Sequence, residues 1–246
     1  MKSYLQKIAS TARAISHGTG YENYSENEYG KTARMTDQSY RDRLASWQIP
    51  AIKLHFGDLE GKVFIDIGAG DIILGEHLRE LGQPEIFYAQ DLSRPSLNAG
   101  LKRITGAATD SPPFITMSSD DFDFSSIPDR TIDCAFSNSL FSHLSVNSIV
   151  LCLRQLAPKL KSTGKYLSSM IVVPSDRETL PFDWSYLETK GSEVVSHLNK
   201  DPFHYSEKSL ERLAEFDTGF VVSKVHDYGH PFQRLVEFRL REKPVE

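Results

Sequence analysis

Apolar positions in this chain follow two rhythms, and the rhythms alternate. Residues 63–67, 86–90, 114–117, 131–137 and 165–173 are short apolar runs with the length and composition of buried strands. Between them, apolar residues recur three and four apart. Residues 73–81 read as a helix ending near Gly82, and residues 93–104 as a helix with Pro95 in its first turn. Residues 146–160 read as a strong helix, with Ile149, Val150, Leu153 and Leu156 on one side. Residues 206–216 read as another, with Ser206 as N-cap and Glu207 and Glu211 favouring its early turns. Residues 220–226 and 235–240 read as the last two strands. The alternation predicts an α/β fold, a parallel sheet with helices on both faces.

Two regions depart from this rhythm. Near the start, Leu5, Ile8, Ala12 and Ile15 recur at helical spacing, and a polar segment holding Tyr21, Tyr24 and Tyr29 follows. Residues 37–56 read as a helix broken at Pro50, with Tyr40, Leu44, Trp47, Ile52 and Phe56 as its apolar content. Residues 174–204 carry Pro181, Phe182, Trp184, Tyr186 and Pro202 with weak helix and strand signals, and read as an inserted cap. The expected organisation is a helical, tyrosine-rich lid (1–60), an α/β core (61–173), a cap (174–204), and a final helix and two strands that complete the core (205–246).

Composition narrows the classes. A chain of 246 residues that is 39% hydrophobic and 25% charged fits one soluble α/β domain with appendages. A net charge of -5 argues against a nucleic-acid partner. The only cysteines, Cys134 and Cys152, form no C-x-x-C pair, so they read as buried thiols in a reducing cytoplasm. No apolar run is long enough to cross a bilayer. Lys2, Lys7 and Arg13 faintly echo a transit peptide, but an amphipathic helix packing on the domain accounts better for the same stretch. The acids Asp120, Asp121 and Asp123 lack a matching histidine set, so no metal site is expected.

The most informative stretch is Val63-Phe64-Ile65-Asp66-Ile67-Gly68-Ala69-Gly70-Asp71, a strand running into a glycine turn. Such a turn lets backbone approach a ligand, and an acid about 20 residues on can hold ribose hydroxyls. Asp91, closing the second strand, is that acid. A nicotinamide enzyme would show G-x-G-x-x-G, and here Asp71, Ile72 and Ile73 follow Gly70.

With that turn come Asp91, Asp120-Asp121-Phe122 after the third strand, Ile132-Asp133-Cys134-Ala135-Phe136-Ser137 in the fourth, and Leu153-Arg154-Gln155-Leu156-Ala157-Pro158-Lys159-Leu160 before Gly164-Lys165. In this order they resemble a class I S-adenosylmethionine-dependent methyltransferase. The resemblance implies a doubly wound, mostly parallel seven-stranded sheet of Rossmann-like type. Six strands would be parallel and one antiparallel at or near an edge. It also implies S-adenosyl-L-methionine as cofactor, with Gly68, Ala69 and Gly70 forming the turn and Asp66 beneath it, facing the methionine ammonium. Asp91 would take the ribose, and Leu92 beside it would also contact the cofactor. Asp121, or Asp120 in the alternate register, would meet the adenine beside Phe122, and Ser137 and Asn138 would lie near the reacting methyl. Many relatives have a third glycine where Ile72 stands. That side chain either crowds the methionine end or turns into the core.

Each residue has a plainer reading too. On that reading Asp66 only braces the loop, Asp91 favours the helix after it, and Ser137 and Asn138 supply loop polarity. His143, just beyond the fourth strand, is the candidate general base for an oxygen acceptor; otherwise it braces the next helix. Tyr21, Tyr24, His204, Tyr205 and His230 are candidates to line the acceptor pocket. The expected reaction is methyl transfer to a hydroxyl of a small molecule or sugar. The alternatives are a nitrogen, carbon or protein acceptor, or a silent cofactor-binding subunit.

Overall fold

A computed structural model of the chain describes residues 38–77, 81–107, 113–183, 195–230 and 232–242. In chain order it contains α1 (Gln38–Phe56), β1 (Val63–Ile67), α2 (Ile73–His77), β2 (Ile86–Asp91), α3 (Arg94–Ala107), β3 (Phe114–Ser118), β4 (Ile132–Ser137), α4 (Val146–Leu156), β5 (Leu160–Met170), β6 (Phe182–Asp183), β7 (Val195–Ser196), α5 (Glu207–Glu215), β8 (Phe220–His226) and β9 (Arg234–Leu240). The tyrosine-rich segment, with Tyr21, Tyr24 and Tyr29, lies outside the described residues.

Seven strands form one sheet in the order β3-β2-β1-β4-β5-β9-β8. Strands β1 to β5 pair in parallel, and β9 runs antiparallel to both β5 and β8. The sheet therefore has six strands in one direction and one reversed strand next to its edge, as the resemblance implies. All five residues of β1 are buried, as in a central parallel strand covered on both faces. One face packs Ile65, Ala135, Tyr166 and Phe238 against α4 and α5. The other packs Phe64, Phe87, Phe136, Leu167 and Leu235 against α1, α2 and α3.

Three of the departures from the sequence reading have a clear physical reason. Helix α1 runs unbroken through Pro50. The proline is exposed, while Ala45, Gln48, Ala51, Ile52 and Phe56 are buried around it. Packing keeps the helix continuous, and the proline removes a donor only on the wet side. Helix α4 ends at Leu156, and Leu160 already pairs with Ile132 in the sheet. Pro158, which has no amide hydrogen, lies in the turn between them. Strand β5 starts earlier than expected and shifts register against β4. Gly164 fits there because a Cβ would stand 2.9 Å from the Ile132 carbonyl oxygen.

Ser206 caps α5 as expected, its Oγ accepting from the Ser209 amide at 3.1 Å. The described part of 174–204 carries the two-stranded antiparallel pair β6–β7. The carboxylate of Glu178 accepts from the Ser206 amide and the hydroxyls of Ser206 and Ser209, rooting this segment on the start of α5. Cys134 and Cys152 are free and buried. Burial pushes the Cys134 thiol up to about 12 and the Cys152 thiol higher still. Among the described residues no helix is long and apolar enough to cross a membrane.

Candidate functional site

Parallel strands bring their carboxyl ends to one edge of the sheet, where ligands of such folds bind. Asp66 lies one residue before the end of β1 and is 4% exposed. Burial, then the neighbouring Asp91, pushes its carboxyl up to about 8. Among the described residues no donor bonds to it. A buried acid in that position is costly unless a cation or donor arrives.

The turn above it is built from main chain. The amides of Gly68 and Ala69 both donate to the Gln90 carbonyl, at 2.8 and 2.9 Å. Gly70 adopts φ +54°, and a Cβ there would meet no atom within 4 Å, so space is open over the turn. A Cβ on Gly68 would press on Leu140 at 3.0 Å.

The Ile72 question resolves toward the core. Ile72 takes φ +59°, a conformation that favours glycine, and its side chain is fully buried. Two later glycines accommodate it. A Cβ on Gly75 would lie 2.8 Å from Ile72 Cγ2, and one on Gly100 would lie 2.9 Å from Ile72 Cγ1 and 2.1 Å from the Asp71 carbonyl oxygen. Asp71 is itself tied to Arg103 by an ion pair of 3.1 Å.

Asp91 organises the next part. Its Oδ2 accepts from the Gly70 amide at 2.9 Å and its Oδ1 from the Ser93 amide at 2.7 Å. One carboxylate thus locks the glycine turn and the start of α3. Each oxygen keeps a second lone pair for a ligand hydroxyl. Burial raises its pKa, and the two amides oppose that.

Beyond β2, Leu92 is half-buried, and its carbonyl accepts from Ser118 Oγ at 3.2 Å. Phe122 is a buried core residue at φ +57°. Asp120 and Asp121 are exposed immediately before it.

The end of β4 divides its polar residues between the two faces. Ser137 is fully buried, within 2.7 Å of the Tyr166 hydroxyl and 2.8 Å of Ser168 Oγ. Side chains alternate along a strand, so the Ser137 side chain faces away from Asp66 and makes core hydrogen bonds, leaving its main chain at the strand end. Asn138 points into a different network. Its Oδ1 lies 3.0 Å from Ser169 Oγ. Gln233 Oε1 accepts from the hydroxyls of Ser169 at 2.9 Å and Tyr228 at 3.3 Å, while its Nε2 donates to Ser139 Oγ at 2.6 Å. His230 adjoins this network, its Nδ1 accepting from the Gln233 amide at 3.1 Å. Trp47, Tyr228 and Phe232 surround the His230 ring, and burial, then Arg234, lowers its pKa to about 4. It is neutral at pH 7.

His143 ends a short 3-10 turn after β4, and its Nδ1 lies 2.7 Å from Asp201 Oδ1 of the cap. The carboxylate favours the proton on Nδ1, which puts the lone pair on Nε2. His204 and Tyr205, expected to line the acceptor pocket, both have buried side chains with partners in the interior. The His204 ring is fully buried between Ser196 Oγ at 2.8 Å and the Glu178 carbonyl at 2.7 Å. Tyr205 is core, its hydroxyl donating to the Leu144 carbonyl at 2.7 Å. Sequence reasoning missed Asp201, Gln233, Ser169 and Trp47 as site neighbours, since none lies in a recognisable motif.

No family model matches the sequence, and no curated protein matches it. Solved structures do match its fold. A SAM-dependent methyltransferase from Aquifex aeolicus aligns with a TM-score of 0.59 at 20% identity, over 86% of this chain and 100% of that one. Magnesium protoporphyrin IX methyltransferase from Synechocystis PCC 6803, solved with bound SAH, aligns at 0.56 and 16% identity, over 95% and 100%. Geranyl diphosphate C-methyltransferase from Streptomyces coelicolor A3(2) aligns at 0.58 and 14% identity, over 83% of each chain. The chain has the fold of the class I S-adenosylmethionine-dependent methyltransferases.

Proposed function

We propose that this protein is an S-adenosylmethionine-dependent methyltransferase acting on a hydroxyl of a small molecule or sugar. The observation that carries the reading is the buried Asp66 carboxyl, unmet by any described donor, beneath a glycine turn that Asp91 holds open. These residues fit the cofactor. Asp66 would meet its ammonium group, Asp91 its ribose hydroxyls, and the main chain of Gly68, Ala69 and Gly70 its methionine portion. Leu92 and the segment from Asp120 to Phe122 would border the adenine. When bound, the cofactor supplies a methyl group on a positively charged sulfur.

The chain's own contribution is orientation and a proton acceptor. His143, held by Asp201, would take the acceptor's hydroxyl proton at Nε2, as an oxygen nucleophile of high pKa requires. The polar cluster of Asn138, Ser139, Ser169 and Gln233, walled by Trp47 and Tyr228, would orient a compact acceptor. The solved structures of this fold act on porphyrin and on geranyl diphosphate, so the fold leaves the acceptor open.

Calorimetric titration with S-adenosylmethionine and S-adenosylhomocysteine tests the reading, with NAD as control and Asp91→Ala beside the wild type. Micromolar binding of the first two, weakened in the variant by up to a few kcal/mol, is expected, since charged hydrogen bonds are each worth about 1.5–3 kcal/mol. Absence of binding, or equal binding of NAD, would remove the cofactor assignment.

A further inference from the structure

Away from the cleft, three side chains from three elements converge. His55 near the end of α1, His226 at the end of β8 and Glu237 within β9 each offer a ligand atom, and these atoms lie within 4.8 Å of one another. Among the described residues this is the only such group. The two imidazole rings are 4.3 Å apart between centroids, and His226 Nε2 is 3.3 Å from Glu237 Oε2. We propose that His55, His226 and Glu237 bind a transition-metal ion, zinc or a close analogue, at a site separate from the proposed cofactor cleft.

The chemistry of the donors sets the metal class. Two imidazoles and one carboxylate suit zinc and its neighbours, while magnesium and calcium prefer oxygen-rich shells. Ligands of a tetrahedral zinc stand roughly 3.3 Å apart, which follows from bond lengths of about 2.0–2.1 Å. The present spacing needs only side-chain adjustment. The Glu237 carboxylate is already oriented, its Oε1 held by Arg239 Nε at 2.7 Å and Ser223 Oγ at 3.1 Å, leaving Oε2 toward the histidines. His55 has a lowered pKa through burial, then through His226, which favours the neutral ring a metal requires. Lys165, Lys224 and Arg239 also face this group and oppose an added dication. Affinity is therefore expected in the micromolar range rather than that of a zinc finger.

Strands β4 and β5 separate β9 from β1, so Glu237 lies on the order of 14 Å from Asp66 at the usual spacing of strands. A bound ion would tie α1 to the β8–β9 edge.

The test is titration of the untagged full-length chain with cobalt(II), then displacement by zinc, in wild type, His55→Gln and His226→Gln. Circular dichroism of each variant confirms folding. One equivalent with the intense visible absorption of tetrahedral cobalt, and dissociation constants at least roughly tenfold higher in both variants, is the expected result. No saturable binding would overturn the proposal, and so would binding that both variants retain. A millimolar magnesium arm should give none of these signals, and displacement of cobalt by magnesium would overturn the metal class.

Discussion

Replacing Asp66 with asparagine isolates the electrostatic cost at the centre of the site. The Asp66 carboxyl is raised from 3.8 to about 8 by burial and by Asp91. The folded pKa therefore lies above the unfolded one. This group's contribution to stability is fully present below about pH 4 and is lost as pH rises through 8. Between pH 5 and pH 8 the unfolded chain has released the proton and the folded chain retains it. Three units at about 1.4 kcal/mol each give a ceiling of about 4 kcal/mol lost over that interval. Water entry and local movement reduce this, and we expect at least ~1.4 kcal/mol, one unit's worth. The assay is urea unfolding at pH 5 and pH 9. Wild type should lose at least that much more stability than Asp66→Asn on going from pH 5 to pH 9. If Asp66 meets the cofactor's ammonium group as proposed, saturating S-adenosylhomocysteine should flatten the wild-type slope by stabilising the carboxylate. If both proteins lose the same stability within about 0.5 kcal/mol, Asp66 is not the proton-holding acid and the argument fails.

Three further outcomes follow from named contacts. His143→Ala should lower turnover by about 10²–10⁴-fold with cofactor affinity unchanged, and Asp201→Asn should lower it in the same direction; an unchanged rate in steady-state assays would remove the base assignment. Gly100→Ala places a Cβ 2.1 Å from the Asp71 carbonyl oxygen and should cost about 1–3 kcal/mol in urea unfolding. Asp91→Ala strands the amides of Gly70 and Ser93 and should destabilise the cofactor-free protein by about 1–3 kcal/mol, measured by the same method.

The strand and helix order was legible because each element's own residues carry its period, and burial on both faces left β1 and β4 as unbroken apolar runs. The closeness of Asp66, Gly70 and Asp91 was legible because the turn and its acid are local to two adjacent strands. What sequence missed depends on partners far along the chain. Ser137 and Asn138 look alike as letters, yet strand alternation sends one into the core with Tyr166 and the other toward Ser169. Nor do the letters of His204 and Tyr205 show that their rings are held by Ser196 and the Leu144 carbonyl. Asp201 lies 58 residues from His143, and Gln233 lies 94 from Ser139. Nor does the chain announce that Gly75 and Gly100 exist to make room for Ile72.

The position of β9 has a consequence for how the molecule is made. It follows all its neighbours in sequence, yet it sits between β5 and β8. Until residues 234–240 leave the ribosome, β5 and β8 have no strand to join them, and Tyr166 and Phe220 lack the ring of Phe238 against which they pack. The nascent chain can assemble the β1–β5 half early, but that half exposes a sticky edge for as long as synthesis of the remainder takes. Closing the sheet thus waits for residues 234–240, and any delay before they emerge would prolong the interval in which that edge is open to other chains.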